Sequence, residues 1–313
     1  MGRIYVGISG WRYAPWRGVF YPDDLAQDRE LEFASRALPS IEINGSFYSL
    51  QSPESYAAWH DQTPEGFVFA VKGSRYITHV LRLKDIERPL ANFFASGIFN
   101  LRGKLGPFLW QFPPFFRYLP ERFEHFFRLL PRDTEAALAL ARRRDSRMTG
   151  RARLAIDKNR ALRHAVEIRN ESFVDESFVA LLRRYGIALV VADTAGKWPY
   201  REDVTSDFLY LRLHGEDEIY KSGYTEAALD RWAARIRDWC SGSEPRDARR
   251  ISGRPPPRKS RDVYCYFDND VKVRAPFDAR RLIEKLAPAA QQPAGIEPAA
   301  PGERRNQSRR ARA

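Results

Sequence analysis

Residues 208–214 read FLYLRLH, aromatic and aliphatic side chains that close on two basic ones. Such a run has the length and composition of a buried β-strand. Strand side chains alternate, so Arg212 and His214 share one face at the C-terminal end. Two further runs end alike: IEIN (41–44) closes on Glu42 and Asn44, and AVEIR (165–169) on Glu167 and Arg169. Strands that are apolar along their length and polar at their C-terminal tip are what a barrel with an active mouth requires.

Working outward, five more runs of this kind occur: Ile4–Ser9, Phe67–Lys72, Pro107–Phe112, Ile187–Asp193 and Asp262–Asp268. Helix-length stretches separate the runs, among them Leu31–Leu38, Pro53–His60, Glu121–Leu130, Glu176–Tyr185 and Thr225–Trp239. In the last, Ala228, Leu229, Trp232, Ile236 and Trp239 fall at three- and four-residue spacings and make one apolar face. Eight strands alternating with helices predict an α/β fold, a (β/α)8 TIM-barrel-like single domain; a doubly wound open sheet is the alternative. Polar groups recur at most strand ends rather than at one switch point, which favours the barrel. No G-x-G-x-x-G follows the first strand and no P-loop is present, which disfavours a nucleotide-binding Rossmann domain.

The chain of 313 residues, 43% hydrophobic, is long enough for such a core. Its two cysteines, Cys240 and Cys265, are too few for a disulfide scaffold, and no leader-like or membrane-length apolar run occurs, so a cytoplasmic protein without membrane contact is expected. The formal net charge is +12. Residues 141–163 hold nine basic and two acidic side chains, residues 240–262 seven and three, and residues 287–313 five and two. The rest of the chain is close to neutral, so the excess charge belongs to a basic segment, an insertion before the last strand and a tail. The domain is expected to span 1–287, with 288–313 a disordered basic tail poor in large aliphatic residues.

The strand-end phrases GISGWRYAPWRGVFYP (7–22), IEINGSFY (41–48), FAVKGSRYITH (69–79), KLGPFLWQFPP (104–114), RHAVEIRNESF (163–173), VVADTAGKWPY (190–200), YLRLHGEDEIYKSGY (210–224) and VYCYFDNDVKVRAPFDA (263–279) together resemble the YecE-like family, or domain of unknown function 72. The resemblance covers most of the chain and implies a TIM-barrel-like fold. It implies no activity, because that of the family is unsettled. One departure is Asn170, which stands where a histidine often follows the Glu-x-Arg, so no acid–base or metal role is carried over to it.

Function therefore rests on the residues themselves. Glu42, Lys72, Glu167 and His214 are the candidate catalytic groups: two convergent carboxylates for acid–base work, with a lysine and a histidine also at or near strand ends. Arg169, Arg212, His79, Asn44, Gln111, Asp193, Asp268, Asn269 and Asp270 are expected to line the mouth and bind substrate, with Trp11, Tyr48 and Tyr220 supplying stacking surfaces. These types suit a small anionic or sugar-like molecule. His79 and His214 have no H-x-H or H-E-x-x-H spacing, so no metal is assigned, and the cofactor and oligomeric state are left open. The second reading is a nucleic-acid-associated protein using the basic segments, which carry no recognised nucleic-acid-binding motif; the third is a non-catalytic barrel acting through partners.

Overall fold

The computed structural model describes residues 2–253 and 259–287. Eight strands, β1 (Ile4–Ser9), β2 (Ser40–Ile43), β3 (Val68–Lys72), β4 (Leu105–Gln111), β5 (His164–Glu167), β6 (Ala188–Asp193), β7 (Phe208–Leu213) and β8 (Asp262–Phe267), close into a barrel in sequence order. Every pairing is parallel, including the closing one between β1 and β8. The open-sheet alternative is therefore excluded.

Around the strands lie α1 (Glu30–Ala37), α2 (Gly45–Tyr48), α3 (Pro53–Gln62), α4 (Glu87–Ala95), α5 (Pro120–Leu129), α6 (Thr134–Ala141), α7 (Glu176–Tyr185), α8 (Glu226–Ser241) and α9 (Ala275–Leu286). Their starts follow capping chemistry. Ser52, Asp133, Asp175 and Thr225 each accept a hydrogen bond from a backbone N–H in the first turn of α3, α6, α7 and α8. Gly186 and Gly242 end α7 and α8 in the left-handed conformation.

Alternation along the strands sorts the core into two layers. Outward residues such as Ile8, Ile41, Phe69, Phe108, Val166, Leu211 and Cys265 join the aromatic-rich shell under the helices, where α8 contributes Leu229, Trp232, Ile236 and Trp239. Inward residues form a second, smaller cluster: Val68, Ala70, Leu109, Ala165, Ala188, Val190, Phe208, Tyr210, Tyr264 and Tyr266, with Tyr5 packed against it. Gly7 belongs to the lumen side, where the Ser40 carbonyl and the Tyr266 ring occupy the space its Cβ would need. Above this plug the inward positions become polar: Ser9, Glu42, Lys72, Gln111, Glu167, Arg212 and Asp268, all buried.

The basic stretches are partly neutralised within the fold. Arg147 pairs with Asp145, Arg160 with Asp157, and Arg163 with both Asp207 and Asp262. The insertion before β8 is anchored over its described part. Buried Glu202 accepts from the Arg249 N–H, and buried Asp203 from the N–H groups of Ile251 and Ser252. The basic tail at 288–313 lies outside the described residues. No described helix is long and apolar enough to cross a membrane.

Candidate active site in the barrel mouth

Arg212, extending inward from β7, is the centre of the mouth and is completely buried. Its Nη1 donates to Glu167 Oε2 at 2.7 Å, and its Nη2 donates to Glu42 Oε1 and Asp268 Oδ2, each at 2.9 Å. Nε reaches Glu42 Oε2 at 3.2 Å, and Nη2 also meets Ser9 Oγ at 3.1 Å. One guanidinium thus ties together carboxylates from β2, β5 and the end of β8. Planarity and five donors make arginine suited to this, where a lysine would present a point charge.

Glu42 and Glu167 are saturated from their other sides. Glu42 accepts from Ser9 Oγ and Tyr210 OH, both at 2.5 Å, while Asn44 Nδ2 donates to Ser9 Oγ. Glu167 accepts from Gln111 Nε2 at 3.0 Å and from Arg169 Nε at 2.7 Å. Burial would raise the Glu167 carboxyl, but Arg169 and Arg212 outweigh it and hold it well below the usual carboxylate range. Asp268 is likewise depressed against its burial by Arg212 and His214. Glu42 and Glu167, expected as the acid–base pair, are instead fully sealed and spent on hydrogen bonds; they hold Arg212 and Arg169 in place.

Two other inward groups keep unspent polar atoms. Lys72 is 7% exposed, and its Nζ sits 4.4 Å from the centre of the Phe47 ring. Among the described residues it makes no hydrogen bond or ion pair. Burial, followed by the Arg212 charge, lowers its pKa to about 8. His214 is completely buried. Its Nδ1 lies 3.0 Å from Asp268 Oδ2 but outside hydrogen-bonding alignment, so neither ring nitrogen has an aligned partner among the described residues. Burial lowers the His214 pKa, with Arg212 reinforcing and Asp268 opposing the shift.

The rim is aromatic. The Arg169 guanidinium stacks 3.8 Å over Trp198, and its Nη2 reaches Tyr220 OH at 3.4 Å. Tyr220 meets the His214 ring edge-on at 5.3 Å and holds a positive φ of 68°. His79 stands edge-on to Phe47, bonded through Nδ1 to Thr78 Oγ1, and burial lowers its pKa to about 4. Tyr48 is 70% exposed beside Phe47. Asp270 lies just past β8, half-buried, its pKa raised to about 6 by burial and the neighbouring Asp268 charge.

Three expected members stand elsewhere. Trp11 packs edge-on against Trp59 of α3 and near Phe69, in the shell outside the barrel. Asp193 follows Ala192, an inward residue of β6, so it faces outward and accepts from Tyr224 OH at 3.1 Å. Asn269 follows inward Asp268 and donates outward to Ser222 O and to Asp278 of α9. Ser9, Tyr210, Phe47 and Trp198 take part without having been singled out as substrate or catalytic residues. Tyr210 was within reach of the same alternation that selected Arg212, two residues away. Among the described residues no group of three or more His, Cys, Asp or Glu side chains is arranged to hold a metal ion.

The family model for "Protein of unknown function DUF72" matches residues 5–305. The chain belongs to the DUF72 family. Among curated proteins, the chain is similar to UPF0759 protein YunF of Bacillus subtilis, 30% identical over 118 residues, 36% of this chain and 41% of that protein. UPF0759 protein YecE of Escherichia coli K12 is 28% identical over 130 residues, 41% of this chain and 44% of that protein. Each match therefore spans less than half of the relative's length. A solved DUF72 family protein from Thermotoga maritima superposes with a TM-score of 0.68 at 25% identity, covering 91% of this chain and 99% of that one. A second, from Enterococcus faecalis, gives 0.62 at 17% identity over 91% and 98%, a likeness of fold.

Proposed function

We propose that the barrel mouth is an active site for acid–base chemistry on a small anionic or sugar-like molecule. The observation that carries this reading is the division of labour around Arg212. Glu42 and Glu167 are fully engaged and Asp268 is tied to Arg212, while at the same end of the lumen, among the described residues, Lys72 Nζ makes no hydrogen bond or ion pair and the His214 ring has no aligned hydrogen-bond partner. Burying such groups unpaired costs stability, and a fold retains them where a ligand completes them. Lys72, its pKa lowered to about 8 by burial, is a group able to change protonation near neutral pH, and burial keeps the neighbouring His214 ring toward its neutral form. Lys72 and Arg169 supply positive charge for an anionic group, and Trp198, Tyr220 and Tyr48 offer faces on which a sugar ring stacks.

The test is thermal unfolding of the purified protein against a panel of sugar phosphates, small carboxylic acids and neutral sugars, with short oligonucleotides as the competing class. A ligand at 100 times its Kd adds about 2.7 kcal/mol to stability. A shift with a small molecule, lost in Lys72→Met and His214→Phe, supports the reading. A response to oligonucleotides alone, erased by salt and unaffected by those substitutions, overturns it in favour of the basic segments.

A further inference from the structure

Lysine is scarce in this chain: nine lysines stand against 43 arginines. Wherever the mouth needs a permanent cation to hold a carboxylate, the residue is arginine, as at 169 and 212. The lysine in the mouth holds none. It is also the buried one; Lys104 and Lys285 are partly buried, and the other six are exposed.

Resting on the active-site reading above, we propose that Lys72 Nζ is a nucleophile that forms an imine with a small anionic carbonyl compound, an α-keto acid or an open-chain sugar phosphate. The geometry supports this in three ways. Nζ lies on the inward face of β3, after inward Val68 and Ala70, so it points into the lumen. It rests against the face of Phe47 rather than against a carboxylate, which leaves its lone pair unclaimed once the proton is gone. Its backbone is fixed, because the Lys72 carbonyl accepts from Ser46 Oγ at 2.6 Å and the next N–H donates to Leu109 O. The lowered pKa agrees with this geometry. At pH 7 it gives a free-amine fraction two to three orders of magnitude above that of an ordinary lysine, about a few per cent or more.

In the reaction the Nζ lone pair forms the C–N bond as the carbonyl π pair moves onto oxygen. The two amine protons end on that oxygen, which leaves as water, and a C=N bond remains. No oxidant or metal is required. His214, held toward its neutral form by burial, with Nδ1 beside Asp268 and Nε2 without a hydrogen-bond partner among the described residues, is the ring available to relay those protons. Arg169, held by Glu167 and Trp198, faces the anionic group.

The experiment is reductive trapping. Intact protein is incubated with pyruvate, glyoxylate or glyceraldehyde 3-phosphate, reduced with sodium borohydride, and examined by intact and peptide mass spectrometry, with thermal unfolding measured in parallel. The expected result is one added carbonyl per chain, on the Lys72 peptide, with trapping half-maximal near pH 8 and absent in Lys72→Met and in Lys72→Arg. A melting temperature for Lys72→Arg near that of the wild type shows that the fold is kept. Label spread over the exposed lysines, with the Lys72 peptide unmodified, overturns the proposal. If such a compound still raises the melting temperature, the active-site reading survives without imine chemistry; if nothing small binds, that reading falls as well.

Discussion

The two ends of the lumen are built from the same eight strands by the same alternation, yet they solve opposite problems. The lower half is a plug in which Tyr5 stacks on Tyr264 at 4.9 Å, with Phe208 edge-on to Tyr264. Its occasional polar atoms are paired locally, as where Tyr266 OH meets Ser40 Oγ at 2.8 Å. The upper half, one turn of alternation higher, holds Arg212, Glu42, Glu167, Asp268, Lys72 and His214 out of water. Burying charge opposes folding, and a core of similar volume built from apolar residues is often as stable or more so. The difference separates what the barrel needs in order to stand from what it keeps for another purpose.

The strongest challenge to this comparison is Arg212→Met. It leaves three buried carboxylates without their common partner, and a loss of about 3–5 kcal/mol in urea unfolding, or no soluble product, is expected. A loss below about 1 kcal/mol would mean that the carboxylates become protonated or hydrated cheaply, and that the upper half is not sealed.

A smaller effect isolates Lys72. Its folded pKa of about 8 lies below the value of about 10.4 for an unfolded chain. Between the two the unfolded state binds more protons, so stability rises with pH across that window and is flat with respect to Lys72 below it. The rise should be about 2–3 kcal/mol in wild type relative to Lys72→Met, read from urea midpoints at pH 7 to 10. Equal slopes in the two proteins would place the Lys72 amine in solvent. Lys72→Met should also be the more stable protein at pH 7, the signature of a residue kept for use rather than for support. The smallest expected change is in the plug: Tyr266→Phe removes one buried hydrogen bond and should cost about 1 kcal/mol without altering any ligand response.

Much of this was legible in the sequence because alternation is a local rule. The i, i+2 pairs ending β2, β5 and β7 identified the face that carries the site, and all eight strands lie within two residues of their expected bounds at either end. Asp193 and Asn269 show how strict the same rule is. Both are polar and at strand ends, but each is one residue out of phase with its inward neighbour, and one step of phase is the difference between lumen and shell. Trp11 lies beyond the strand, where alternation no longer specifies direction. The partners of Arg212 were not readable at all, because they depend on how strands from distant parts of the chain are staggered around the barrel. The partners of Glu42 are hidden for the same reason: the hydroxyls and guanidinium that occupy it come from residues 9, 210 and 212.

The Arg212 cluster also has a bearing on how the chain reaches its fold. Its members sit at positions 42, 167, 212 and 268, so no contiguous half of the barrel contains them all. A partly assembled chain that docks β1 to β4 buries Glu42 without its cation, and one that docks β5 to β8 gathers Arg212, Glu167 and Asp268 around a gap left by Glu42. Half-barrels are thereby made poor resting points, and the sheet gains its full electrostatic compensation only when the last pairing closes the ring. Assembly is pushed toward all-or-none, and an intermediate exposing its strand edges to other molecules is short-lived.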